Sequence, residues 1–290
     1  MDAARSFVMT PVMTSPSPRI VGLFRYPVKS LRGHPLDRAP VEPRGIAGDR
    51  RWMVIDHIGR FQTRREAPHM ARFDVALDGD ALILTHPDLG THRVERPGDD
   101  AATIETKVWR DTISARLTPP DTAAFLSEAF GKPVRLVHQP DMSLRPADPR
   151  YAHADDHVSL ADGFPFLVTT HASLEALNAQ LAVPVGMDRF RPNIVIAGTQ
   201  AWAEDRWRRI RIGAVTLRIA KPCTRCVITT QHPLTGEQEQ GNDPLSTLRA
   251  MGRMAKGGIV FGQNAIADAP GEIAVGDAVE VLEEGESNLG

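Results

Sequence analysis

The sequence predicts a mainly β protein with short helices, an α+β chain built from two β-rich domains. Three observations carry that prediction. Gly and Pro together supply 23 + 23 = 46 of the 290 residues, a density of turn formers that suits many short strands better than a helical bundle. Beyond residue 18, short apolar stretches alternate with turn signals along the chain, the pattern of strands joined by tight connections. No period of 20–50 residues recurs, which excludes a solenoid or propeller.

Taken in order, residues 1–18 (MDAARSFVMTPVMTSPSP) lack the long apolar core of a secretory signal and read as a floppy lead-in. RIVGLFRYPV (19–28) reads as a first strand and RRWMVID (50–56) as another. FDVALDGDALILTHP (73–87) is a hairpin turning at Asp78-Gly79-Asp80. VRLVHQ (134–139) is a further strand, and the polar, Pro-containing run 141–157 is a linker or surface loop. FPFLVTT (164–170) is a buried strand. Leu174, Leu177 and Leu181 then recur at helical spacing. NIVIAG follows, then a hairpin over 206–220 turning at Ile212-Gly213-Ala214, a strand CVITT (226–230), a helix around PLSTLRAM (244–251), the strand IVFGQNAIA (259–267), and a last pair, EIAVGDAVEVLE (272–283), turning at Gly276-Asp277. The expected division is a disordered tail 1–18, a first domain 19–140 and a second domain 141–285, with the boundary somewhere between about 115 and 155.

Composition excludes several classes. Net charge is 34 − 36 = −2, so the chain is no globally basic nucleic-acid binder. Hydrophobic residues at 42% and charged ones at 24% describe a globular chain. No apolar run approaches a membrane span. Only two cysteines occur, Cys223 and Cys226. A disulfide framework is therefore excluded, a four-thiolate metal site lacks its second pair, and a cytoplasmic protein is expected.

Cys223 and Cys226 form a C-x-x-C pair in KPCTRCVITT (221–230). Such a pair serves redox sites, half zinc sites and buried strand packing alike. The β-forming residues after it argue against a thioredoxin-like helix start, and a zinc site finds only His232 nearby. The first 75 residues hold 13 Lys and Arg against 7 Asp and Glu. Within them Pro27 stiffens the chain before Lys29 and Ser30, a point charge and a hydroxyl donor that suit a phosphate. Arg50 and Arg191 could add guanidinium forks to the same anion. His153, Asp155, Asp156 and His157 have the look of a metal cluster but sit in a polar, Pro-flanked run that reads as a solvated loop or pocket rim. Trp202 and Trp207 read as packing residues, Met9 and Met13 as tail. Neither a P-loop nor G-x-G-x-x-G after a strand is present.

Six motifs stand in a definite order: YPVKS, GDRRWMVI, FRPNIVI, PCTRCVITT, FGQNAIA and GEIAVGDAVEVL. Together they make the chain resemble the MOSC-domain proteins, specifically the branch with an N-terminal β-barrel domain that includes the amidoxime-reducing components. The resemblance runs from about Arg19 to Leu282. It implies an N-terminal β-barrel-like domain followed by a MOSC β-barrel domain, and a molybdenum cofactor (Mo-molybdopterin). Carried over residue by residue, it makes Cys226 the metal ligand and catalytic residue, with Cys223 a neighbour. Lys29, Ser30 and Arg50 would hold the cofactor phosphate, and Arg191 and Asn193 would contact the cofactor. Thr170 and Ser173, where a helix N-terminus offers free N–H groups, would add further contacts. Arg225, between the cysteines, would favour the ligating thiolate. The activity implied is reduction of small N-hydroxylated compounds to amines or amidines. Electrons would come from a separate ferredoxin, cytochrome or flavin reductase, because no further cysteines mark a fused ferredoxin domain. The alternative implied is a carrier of the cofactor or of sulfur without turnover of its own.

Overall fold

The protein is described from a computed structural model covering residues 17–289; residues 1–16, with Met9 and Met13, lie outside it. Its elements in chain order are β1 (Arg19–Arg25), β2 (His34–Leu36), β3 (Arg38–Glu42), β4 (Gly45–Ile46), β5 (Trp52–Asp56), β6 (Asp74–Asp78), β7 (Ala81–His86), β8 (Gly90–Val94), β9 (Thr103–Val108) and β10 (Asp111–Leu117). There follow α1 (Pro120–Phe130), β11 (Val134–His138), β12 (Phe166–Thr170), α2 (His171–Asn178) and β13 (Ile194–Ala197). The chain continues through β14 (Trp207–Ile212), β15 (Val215–Thr224), α3 (Leu245–Ala250), β16 (Met254–Ala255), β17 (Gly258–Ala267), β18 (Gly271–Ala274) and β19 (Val279–Glu284). Among the described residues the fold is mainly β with three short α-helices, the class that the turn density favours.

The largest sheet runs β19-β14-β15-β17-β12-β13-β1-β2, with β16 paired to β17. Among the described residues its one parallel pair is β12 and β13; α2 lies between them in sequence and supplies the crossover that parallel neighbours need. One face of this sheet buries Ile20, Leu23, Phe166, Val168, Ile194, Trp207 and Ile210 under the small sheet β18-β3-β4, whose Val41 and Ile273 close the core. A second core lies among β5, the meander β6-β7-β8 and α1, around Phe73, Leu82, Leu84 and Leu126.

The first strands cross the boundary expected near residue 140. β1 pairs with β13 from Arg19–Ala197 to Leu23–Ile194, and β3 pairs with β18 from Val41–Gly271 to Arg38–Ala274. Strands early in the chain are thus members of the sheets built by the C-terminal half.

Both hairpins read from the sequence form, turning through Gly79 (φ 60°) and Gly213 (φ 56°), the left-handed conformation that two-residue hairpin loops demand. Run 141–157 is a loop. A bridge between Pro146 and His157 closes its second part on itself, and Asp156 is held by both oxygens to Arg218 at 2.8 Å. No group of three or more potential ligands gathers at His153–His157 or elsewhere among the described residues. Trp207 is a core residue, and Trp202 packs on Phe261 with Arg253 over its ring. Among the described residues, no helix is long and apolar enough to cross a membrane.

Two expectations need correction. CVITT is not a strand: Val227–Thr230 is a turn of 3-10 helix. The Cys226 carbonyl accepts from both the amide and the hydroxyl of Thr229, and the Thr230 hydroxyl donates to the Val227 carbonyl. Threonine hydroxyls here offer the backbone an alternative to a ladder. The last two strands turn at Gly276-Asp277 but do not pair with each other; β18 joins β3 and β19 joins β14. The sequence reading also passed over β9, β10 and α1, whose buried Thr122, Leu126 and Phe130 stand at i, i+4 and i+8 before a left-handed Gly131.

Candidate functional site

Because β1 runs antiparallel to β13, the segment leaving β1 lies beside the segment entering β13. The first carries Tyr26, Lys29 and Ser30; the second carries Arg191 and Asn193. The loop before β5 brings Arg50, whose amide donates to the Tyr26 carbonyl. The end of β15 brings Cys223, and the chain beyond it Cys226. These segments enclose a cavity of about 510 Å³ lined by Lys29, Ser30, Arg50, Arg191, Asn193 and Cys226 among others. Six of the eight residues expected at the site are therefore brought to one cavity, from positions 226 − 29 = 197 residues apart.

The backbone is strained where these side chains are aimed. Five non-glycine residues among those described have positive φ: Ser30, Arg50, Trp109, Arg191 and Trp202. The first four line the cavity. Such conformations cost on the order of 1–3 kcal/mol each and persist where surroundings over-determine them. The surroundings here are explicit. Both the Arg50 and the Arg191 guanidinium lie 4.3 Å from the centre of the Tyr26 ring. Arg50 also donates to Asp49 at 2.6 Å and to Asn193 Oδ1 at 3.2 Å, and Arg191 donates to the Leu31 carbonyl at 2.7 Å. Burial pushes the Tyr26 hydroxyl up to about 12, against the pull of the two arginines. Burial, then Arg50, lowers Arg191 to about 9, which leaves it cationic at neutral pH.

Asn193 is 1% exposed and works as a staple. Its oxygen accepts from Arg50 and from the Leu167 amide, and its Nδ2 donates to the Phe24 carbonyl. Lys29 is also committed inward. Its Nζ donates to the Leu160 carbonyl at 2.9 Å and to Asp162 at 2.5 Å, so two of its three donors fasten the segment 160–162 over the cavity. Burial lowers the Lys29 ammonium, with Asp162 opposing. Burial raises the Asp162 carboxyl, but Lys29 and Arg65 outweigh it and hold the group well below the usual carboxylate range.

Thr170 and Ser173 do not reach the cavity. Both are wholly buried, and both hydroxyls donate to Glu204 Oε2 at 2.9 Å, while Thr170 caps α2 by accepting from the Ser173 amide. These two hydroxyls serve the protein's own Glu204 carboxyl group, away from the cavity lining. Arg225 is also misassigned: it donates to Cys223 Sγ at 3.0 Å and to the Phe190 carbonyl at 2.6 Å. The cation against Cys226 is Arg65. Burial pulls Arg65 down, but Asp162 and the Cys226 sulfur more than offset it and hold the guanidinium above its ordinary value.

Two family profiles match the chain, the MOSC N-terminal beta barrel domain over residues 17–133 and the MOSC domain over 155–280. The human mitochondrial amidoxime-reducing component 1 is 33% identical over 91% of this chain and 82% of its own, and the mouse protein of the same name 34% over 91% and 82%. The chain belongs to the MOSC family. A more distant relative is the bovine molybdenum cofactor sulfurase, 27% identical over 76% of this chain but 27% of its own length. These relationships support a function connected with the molybdenum cofactor.

In this MOSC protein the described residues on the walls of the cavity include seven cations (Lys29, Arg50, Arg64, Arg65, Arg191, Lys221 and Arg225) against one carboxylate, Asp162. That imbalance makes a site for an anionic group. Sequence reasoning missed Arg64, Arg65, Asp162, Lys221 and Trp109. The doublet Arg64-Arg65 repeats the pattern of Arg50-Arg51 and could have been noticed; nothing local marks Asp162 or Trp109. The donor set fits a group bearing a soft metal and a phosphate. A thiol beside a cation stands on one wall, several guanidiniums stand on the others, and the Nε of Arg225 is buried without a partner.

Proposed function

We propose that this MOSC protein is a molybdenum-cofactor-dependent oxidoreductase that reduces small N-hydroxylated compounds: R–NHOH + 2e⁻ + 2H⁺ gives R–NH₂ and water. The observation that carries the reading is Cys226 on the wall of a cavity with seven cations and one carboxylate. The names of the human and mouse relatives, amidoxime-reducing components, point the same way.

Cys226 would ligate the metal, and Arg50 and Arg191 would hold the phosphate with Ser30 and the remaining donor of Lys29. When bound, the cofactor supplies a two-electron couple able to take oxygen from nitrogen. The chain's own residues prepare the place. Arg65 lies beside Cys226, so a cation stands next to the sulfur that would bind the metal. Tyr26 and Asn193 keep Arg50 and Arg191 converged without rearrangement, so little ordering cost falls on binding. Asp162 stays ionised across the working pH range, so it anchors Lys29 and Arg65 and donates no proton. Electrons come from a separate donor protein, a ferredoxin, cytochrome or flavin reductase, and cytoplasmic location is part of the same proposal.

The test is the metal content of protein purified from a cofactor-producing host, together with turnover of an N-hydroxylated compound using an artificial electron donor. About one molybdenum per chain with turnover is expected. Metal-free protein carrying labile sulfur would overturn the reading in favour of a carrier, and bound molybdenum without turnover would remove the reduction.

A further inference from the structure

We infer that a second cavity beside the first receives the body of the substrate, a neutral N-hydroxylated compound with a planar apolar group. This rests on the reading just proposed, that the first cavity carries out the reduction. The second cavity, about 620 Å³, has Ile58, Phe61, Thr112 and Trp109 on its walls. Arg65 and Trp109 line both cavities. The two spaces are thus neighbours that share two side chains, one of them the guanidinium beside Cys226.

Trp109 is set there at a cost. It occupies the turn between β9 and β10 with φ 57°, and its side chain stands 48% exposed. A bulky residue in that conformation is an outlier. Three contacts hold the indole in place. The Phe61 ring packs edge-to-face with it at 5.2 Å between ring centres, the Arg65 guanidinium is 4.9 Å from its centre, and its Nε1 donates to Asp162 at 3.3 Å. Ile58, 73% exposed, adds a further apolar surface. A fixed indole face, 48% exposed beside the first cavity, is suited to stacking on a flat ligand.

Charge selects the ligand further. The first cavity's excess of cations repels a positively charged body. The second is nearly balanced, with Arg60, Arg65 and Lys107 against Glu66 and Glu105, and Arg60 is paired with Glu66. A neutral planar body is therefore held in the second cavity while its N-hydroxy end reaches past Arg65 and Trp109.

The test uses Thr112→Trp, which fills the second cavity from an exposed position on β10, and Trp109→Ala, which removes the indole shared by the two cavities. The probes are 2-naphthylamine, a neutral planar amine read by fluorescence, and the ratio of KM values for N-phenylhydroxylamine and N-methylhydroxylamine. Each variant is expected to weaken naphthylamine binding about tenfold, in cofactor-loaded and cofactor-free protein alike, and to raise the phenyl-to-methyl KM ratio by a similar factor. Naphthylamine binding and KM ratio unchanged in Thr112→Trp would overturn the inference. If the loaded protein reduces no N-hydroxylated compound yet naphthylamine binding still depends on Thr112 and Trp109, the proposed reduction fails and the planar-ligand site stands.

Discussion

Each cysteine faces a different cation: Cys226 meets Arg65, while Arg225 is spent on Cys223. Cys226→Ala should therefore abolish both molybdenum content and turnover, whereas Cys223→Ala should keep a substantial fraction of each. Equal loss from the two changes, measured by metal analysis, would sink the assignment. Two buried titratable groups give pH predictions of opposite sign. Burial, then Arg51, lowers His138 to about 3 from an ordinary 6.5. The unfolded chain then takes up a proton below about 6.5 that the fold refuses until about 3, so stability falls as pH falls through that window. His138→Asn should flatten this acid limb in urea titrations. Glu204 is the reverse. Burial raises its carboxyl above 4.5 despite the hydroxyls of Ser173 and Thr170, so the fold holds a proton that the unfolded chain releases. Stability contributed there declines as pH rises from about 4.5 through the raised value, and Glu204→Gln should remove the decline while still accepting from both hydroxyls. The cavity residues that sequence alone revealed, such as Lys29 and Arg191, sit in distinctive motifs. Asp162 was invisible because its role depends on Lys29, Arg65 and Trp109, which lie 133, 97 and 53 positions away.

Strands were legible wherever one face is buried, as in β7 and β14, because alternation records which side meets the core. Partner choice was not, which is why the turn at Gly276-Asp277 looked like a hairpin although its strands enter different sheets. Residues 227–230 misled for a different reason: Val, Ile and Thr favour strands on average, but the Thr229 and Thr230 hydroxyls bond back to the local carbonyls. β17 offers a prediction at this scale. Gly262 in its middle has φ 74°, and a Cβ there would stand 2.7 Å from Thr169 Cγ2 and 2.8 Å from the Val168 carbonyl oxygen. Gly262→Ala combines backbone strain with a clash against β12, a loss of about 2–4 kcal/mol. Chemical denaturation of the variant should show it as a shift of midpoint without a change of slope; a loss below about 0.5 kcal/mol would mean that β12 and β17 yield easily.

For the molecule as a whole, the shared sheet makes the halves interdependent. A fragment of residues 141–290 lacks β1 and β3, leaving β13 and β18 as unpaired edges over the exposed core of Ile194, Ile196 and Ile273. It should be insoluble or molten by near-UV circular dichroism rather than a folded domain with reduced affinity; a cooperative melt would contradict this. In the intact chain, an anionic ligand gripped by Arg50 and Arg191 stabilises only the joined form, by roughly 4 kcal/mol at a thousandfold excess over Kd. The holoprotein should melt several degrees above the apoprotein. The stitching of β1 to β13 also sets a clock. During synthesis β1 leaves the ribosome 194 − 25 = 169 residues before its partner begins to appear, a wait of roughly 8–34 s at about 5–20 residues per second. Through that interval one edge of β1 has no neighbour, and the nascent chain needs shelter from other chains. Whatever anionic group the cavity takes, it can be captured only after translation has delivered both walls.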